Sequence, residues 1–138
     1  MINLRGLIDM GVEAGMRAEN YFASVLNEKG IFYNFDDEWY DFMINKEVKV
    51  EVKSCQISIK DMDKHYRPGR FDFTDEENRK KQYEEDIWVC LIVRHQEQFI
   101  LLGFVKAKQL EMKRYLSLPN ARGLHPISFE DWLKKINR

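Results

Sequence analysis

From Val48 to Ser54 the chain reads Val-Lys-Val-Glu-Val-Lys-Ser, with apolar and polar residues in strict alternation. Side chains of a β-strand point to its two faces with a period of two, so the run predicts a strand with Val48, Val50 and Val52 on one face and Lys49, Glu51 and Lys53 on the other. Glu51 and Lys53 are then neighbours. Upstream, Trp39 to Ile44 reads as a second, aromatic-rich strand that ends at Asn45-Lys46-Glu47. If those three residues form the hairpin loop, Ile44 opposes Val48, paired numbers keep a constant sum, and Asp41 falls opposite Glu51. A two-residue loop would put Val50 opposite Asp41 instead, so register decides which side chains meet.

The remaining elements follow from periodicity and punctuation. Val12, Met16, Phe22, Ala23 and Leu26 recur at helical spacing between about Ile8 and Lys29, and Gly30 ends that helix. Ile31 to Phe35 predicts a strand and Asp36-Asp37-Glu38 a turn. Thr74 is placed to cap a polar helix over Asp75 to Glu85, with Glu77 in the reciprocal capping-box position. Asp86 to Arg94 is apolar on both faces, as a covered central strand requires. His95-Gln96-Glu97-Gln98 turns the chain into a further strand, Phe99 to Val105, and Lys106 to Tyr115 suggests a short helix. Ser128 is positioned to cap a last helix running to Ile136. The order describes one α/β domain over residues 1–138, a central mixed β-sheet of about five strands flanked by helices.

Composition narrows the function classes. The net charge of −1 removes a bulk positive field as the basis for holding a polyanion, so any nucleic acid must be met by a local patch. Two cysteines, Cys55 and Cys90, show no metal-ligand spacing and lie in strand-like runs, which predicts buried thiols in a reducing compartment. No signal sequence and no long apolar segment is present. A soluble, cytoplasmic protein without membrane contact is the expectation.

Opposed residues on an antiparallel pair have Cβ atoms roughly 4.5–5.5 Å apart, so Asp41 against Glu51 is a repulsive arrangement that a divalent cation reverses. Hard ions such as Mg²⁺ take carboxylate oxygens and keep remaining positions for water and phosphate. Glu19 lies on the stripe of Met16, Ala23 and Leu26, so it points towards the sheet and needs a partner there, a metal site or a lysine. Lys53 shares the Glu51 face, where it would position or deprotonate an attacking water or stabilise charge on phosphorus. His65, His95 and His125 are scattered over loops and turns and are expected on the surface.

Glu19 in a first helix, Asp41 at a strand end and Glu51-Val52-Lys53 in the next strand resemble the PD-(D/E)xK nuclease superfamily, with its restriction-endonuclease-like αβββαβ core. Gly15-Met16-Arg17-Ala18-Glu19, Gly30-Ile31 and Val50-Glu51-Val52-Lys53-Ser54 are similar in spacing to small archaeal Holliday junction resolvases. The resemblance implies a metal-dependent DNA endonuclease, resolvase-like or of restriction or homing type, working through a metal-activated water. In it Asp41, Glu51 and Glu19 would hold Mg²⁺, with Mn²⁺ as substitute, and Lys53 would be catalytic. Gln56 would match a polar position near the strand end. Tyr40 stands where the motif's name has proline.

Between Ser58 and Arg70 a basic connection carries Lys60, Lys64, Arg67 and Arg70 around Tyr66, which suits contacts to DNA phosphates. No small-molecule substrate is expected, and the small size points to a homodimer. The alternatives are a non-catalytic nucleic-acid- or protein-binding module on the same scaffold, or a nuclease directed at RNA.

Overall fold

The computed structural model describes residues 10–36, 38–60 and 66–137. Its frame is a five-stranded mixed sheet in the order β1-β2-β3-β7-β8. Helix α1 (Met10–Glu28) leads into β1 (Tyr33–Phe35), β2 (Phe42–Ile44) and β3 (Val48–Gln56), three antiparallel neighbours. After β4 (Ser58–Lys60), β5 (Tyr66–Pro68) and β6 (Arg70–Asp72), helix α2 (Glu76–Glu85) carries the chain to β7 (Trp88–His95), which lies parallel to β3. Then β8 (Gln98–Lys106) closes the far edge antiparallel to β7. A short 3₁₀ turn (Ala107–Leu110), β9 (Tyr115–Ser117), α3 (Leu118–Gly123) and α4 (Phe129–Ile136) complete the chain.

The hairpin expected from the alternation forms with Ile44 paired to Val48, Met43 to Lys49 and Phe42 to Val50. Asn45 and Lys46 both take positive φ, and Glu47 N donates to the Ile44 carbonyl at 3.0 Å. Left-handed turns of this kind match the twist of the flanking strands, and Asn tolerates that region better than most residues.

Strand β7 has both faces buried because a separate core covers each. On one side its Cys90 and Ile92 pack with Val50 and Val52 of β3, Phe22 and Leu26 of α1, and Trp132 of α4. On the other, Val89, Leu91 and Val93 pack with Phe71, Phe73 and Leu116. Gly103 sits beside an irregularity in the β7–β8 register with φ of 150°, and a Cβ there would come within 2.6 Å of Pro126. Only glycine fits that crossing. Cys55 and Cys90 are free and buried, and burial pushes the Cys55 thiol up to about 12. Among the described residues, no helix is long and apolar enough to cross a membrane.

Several local expectations move. The buried stripe of α1 runs through Ala18, Phe22, Ala23 and Leu26, as expected for the last three, while Met16 is 44% exposed. Asp75, not Thr74, caps α2 by accepting from Asn78 N at 3.0 Å, since a carboxylate at that position also favours the positive end of the helix. The proposed helix from Lys106 to Tyr115 is only the 3₁₀ turn followed by β9. The basic connection holds paired strands, β4 with β5 and β6 with β9. Ser128 caps α4 as expected, accepting from Asp131 N at 3.1 Å.

Trp132 is fully buried and stacks on Phe104 with ring centroids 4.1 Å apart and planes within 3°. Among the described residues its indole N–H has no hydrogen-bond partner, so packing is what the residue contributes. Trp132→Ala should therefore cost about 3–5 kcal/mol in denaturant unfolding, and Trp132→Phe clearly less. Equal losses for the two variants would show that packing is not what the indole supplies.

Candidate active site

Asp41 precedes β2 and is held on three sides. Its N–H donates to the Val50 carbonyl at 3.0 Å, its carbonyl accepts from Asp36 N at 2.8 Å, and its carboxylate Oδ2 accepts from Val52 N at 2.7 Å. The side chain thus continues the β2–β3 ladder one step beyond its last backbone pair. The preceding residue is fixed as well: Tyr40 is buried, and its hydroxyl donates to Asp36 Oδ2 at 2.7 Å, which pushes the phenol up to about 12. Behind it, Gln82 of α2 donates to the Trp39 carbonyl at 2.8 Å, and Lys49 meets Glu85 at 2.7 Å. Helix α2 lacks an apolar stripe, so these polar contacts define where it rests.

Glu51 stands next to Asp41, as the constant-sum register requires, and only 8% of it is exposed. It pairs across β3–β7 with fully buried Val89. Burial raises its carboxyl to about 8, and the charge of Asp41 and the hydrogen bond between the two acids push in the same direction. Lys53 Nζ, 3.3 Å from Glu51 Oε2, pulls the other way and does not prevail. The ammonium also sits 5.3 Å from the centre of the buried Phe73 ring. Burial and the neighbouring Asp41 favour the protonated form of Glu51, and a hard divalent cation is the natural replacement for that proton. The donor set fits such an ion: two carboxylates fixed by a hairpin, with a lysine on the same face.

Glu19 stands half-buried on α1. Among the described residues, no group of three or more His, Cys, Asp or Glu side chains is arranged to hold a metal ion. Helix α1 packs on the Val50–Val52 face of β3, whereas Glu51 and Lys53 belong to the opposite face. Even so, Gly15, one turn before Glu19 on α1, borders a hollow of about 350 Å³ together with Lys53, Gln56 and Asp72.

The basic connection is only partly described. Lys64 and His65 lie outside the described residues, and Lys60 ends β4. Arg67 is exposed, and so is Arg70, which pairs with Asp72 at 3.2 Å and lies 4.0 Å from the Tyr115 ring centre. Sequence reading passed over Arg94, which borders the same hollow as Lys53. Its position at the end of an apolar strand was the available signal.

A mixed sheet flanked by helices, with an aspartate at the head of one hairpin strand and Glu-x-Lys on the next, defines a restriction-endonuclease-like α/β domain. The chain belongs to the PD-(D/E)XK nuclease superfamily: the family described as a PD-(D/E)XK nuclease superfamily domain matches residues 9–122. That description names no branch, so likeness to archaeal junction resolvases gains nothing from it. No curated protein and no solved structure matches the chain.

The raised Glu51 carboxyl has a thermodynamic consequence. Between about pH 4.5 and pH 8 the folded pair retains a proton that the unfolded chain has released, so stability falls as pH rises through this window. The slope contributed by one such group approaches about 1.4 kcal/mol per pH unit. Unfolding in EDTA at pH 5, 6.5 and 8 should show this decline in the parent and a flatter profile in Glu51→Gln. Parallel profiles would mean that Glu51 titrates normally.

Proposed function

We propose that the protein is a divalent-metal-dependent endonuclease that hydrolyses phosphodiester bonds in DNA. The observation that carries this reading is the Asp41–Glu51 pair, forced together by the hairpin and flanked by Lys53 at 3.3 Å, in a chain of this nuclease superfamily. Asp41 and Glu51 would hold the ion, Mg²⁺ with Mn²⁺ as substitute. Glu19 would add a further carboxylate from α1. The ion's chemistry is to acidify a water and to neutralise charge on the phosphate.

The protein's own groups account for the rest. Asp41, fixed by three backbone partners, presents its carboxylate without needing to reorganise. Glu51 gives up its proton on taking a cation, which makes ion uptake pH-dependent. Lys53 carries a positive charge beside that carboxylate and lies within the same hollow, so it donates to the phosphate oxygen that becomes more negative as the bond to phosphorus breaks. The reaction is a direct displacement by water, with no covalent intermediate on the chain.

One Asp41–Glu51–Lys53 site per chain acts on one strand at a time. Cutting both strands of a duplex therefore calls for two copies, and a homodimer is the assembly we propose. Sedimentation of the pure protein, alone and on DNA, tests it.

With Mg²⁺, the parent should nick supercoiled plasmid or cut a four-way junction, while single-stranded RNA offered in parallel reports an RNA-directed activity. Asp41→Asn, Glu51→Gln and Lys53→Ala should each lower the rate at least about 100-fold, the size typical of losing a group that acts in the transition state. Calorimetry should show Mg²⁺ uptake abolished in the two acid variants and retained in Lys53→Ala. Glu19→Gln should weaken uptake less than Asp41→Asn. A folded parent that takes up neither Mg²⁺ nor Mn²⁺ and cleaves nothing would leave a binding module as the function.

A further inference from the structure

Two hollows meet at the C-terminal ends of the parallel strands β3 and β7. The one that holds Lys53 measures about 350 Å³, and its neighbour, bordered by Ser58 and His95, about 460 Å³. Gln56 and Arg94 border both, so they form the ridge between the two. They are also register partners, and Ile57 N donates to the Arg94 carbonyl at 2.9 Å, which ties the two strand ends together.

Strand alternation puts Lys53 on one face of the sheet and Arg94 on the other. Both nevertheless border one hollow where β3 and β7 end side by side. Gly69 marks its limit: its backbone lies so close to the Gln56 carbonyl that no Cβ could be accommodated.

Arg94 is half-buried in this concave wall. Lys49, Lys53, Arg70 and Lys113 each have a carboxylate within ion-pair distance, whereas among the described residues none lies that close to the Arg94 guanidinium. A partly desolvated guanidinium favours an anion, and its planar fork suits two phosphate oxygens at once.

We infer that Arg94, with Gln56 beside it, binds a backbone phosphate of the DNA strand next to the phosphate cleaved at Asp41, Glu51 and Lys53. This rests on the endonuclease reading above. Arg94 is a positioning residue: it holds the strand across the ends of β3 and β7 and touches no reacting atom. A phosphate contact carries no base information, so the clamp acts equally on every sequence.

The test is binding of a fluorescein-labelled DNA duplex by the full chain in Mg²⁺, over a range of salt, with Lys53→Ala present to suppress cleavage. Adding Arg94→Ala should raise Kd about 10-fold and reduce the slope of log K against log salt by about one, the loss of one phosphate contact. In the cleaving protein the same change should raise KM and leave kcat within about twofold. Arg94→Lys, which keeps the charge, should retain the slope, and Lys134→Ala on exposed α4 should behave as the parent. If Arg94→Ala lowers the melting temperature, Arg94→Gln is read in its place. A parent that cleaves while the Arg94 variants keep its Kd and slope overturns the clamp and leaves the endonuclease standing. A parent that neither binds nor cleaves removes both.

Discussion

The arrangement turns on one repulsion, that of Asp41 and Glu51. Neither acid can move away from it. Asp41 is committed through its N–H, its carbonyl and one carboxylate oxygen to Val50, Asp36 and Val52, and Glu51 is fixed by β3 with a buried valine beside it on β7. Relief must come from a positive charge brought to the pair, a proton or a cation. The repulsion is therefore built into the fold, and its origin is a three-residue loop that sets the register of one hairpin.

That register matters because β2 is short. Three residues of β2 pair with a nine-residue β3, so the last six residues of β3 pair with β7 alone among the described strands. Asp41 marks the point of divergence, substituting a side-chain oxygen for the next backbone acceptor. Such a junction combines two properties an active site needs. It inherits rigidity from a sheet packed on both faces, and it borders the hollow that holds Lys53. Helix α2 adds support from behind through Gln82 and Glu85, contacts that hold Trp39 and Lys49 and do not depend on an apolar face.

Much of this was legible in the sequence because it depends on local patterning. Strict alternation identified β3, unbroken apolarity identified β7 as central, and of the two loop lengths the sequence allowed the three-residue one is found. Errors arose where two signals were equally good or the element was very short. Thr74 and Asp75 can both cap a helix, and only the hydrogen bond to Asn78 decides between them. Strands β4, β5, β6 and β9 have three residues each, too few for a period, and pairing defines them, with a partner far along the chain for β6 and β9. The stripe expected for α1 is buried at Phe22, Ala23 and Leu26 but not at Met16, where Ala18 takes its place. Arg94 offered only its place at the end of an apolar strand, because the groove it borders exists only once β3 and β7 are side by side. Helix α4 lies beyond the region matched by the family, yet Trp132 places it in the core of this chain.

Lys53 has two partners whose demands conflict, and this bears on what it does during turnover. It leans on Glu51, yet burial and Asp41 outweigh it and favour the neutral carboxyl, so the ion pair is correspondingly weak. On the proposed function, a cation at the acids would keep Glu51 ionised, and the lysine's attraction to that carboxylate would be screened. The Phe73 ring beneath the ammonium provides a weak, directionless hold that costs little to leave. On that reading Lys53 would be free to turn to a phosphate oxygen. An arginine would meet Glu51 with a bidentate fork and release it less readily. The same flexible point charge that makes a poor structural ion pair makes a good transition-state donor.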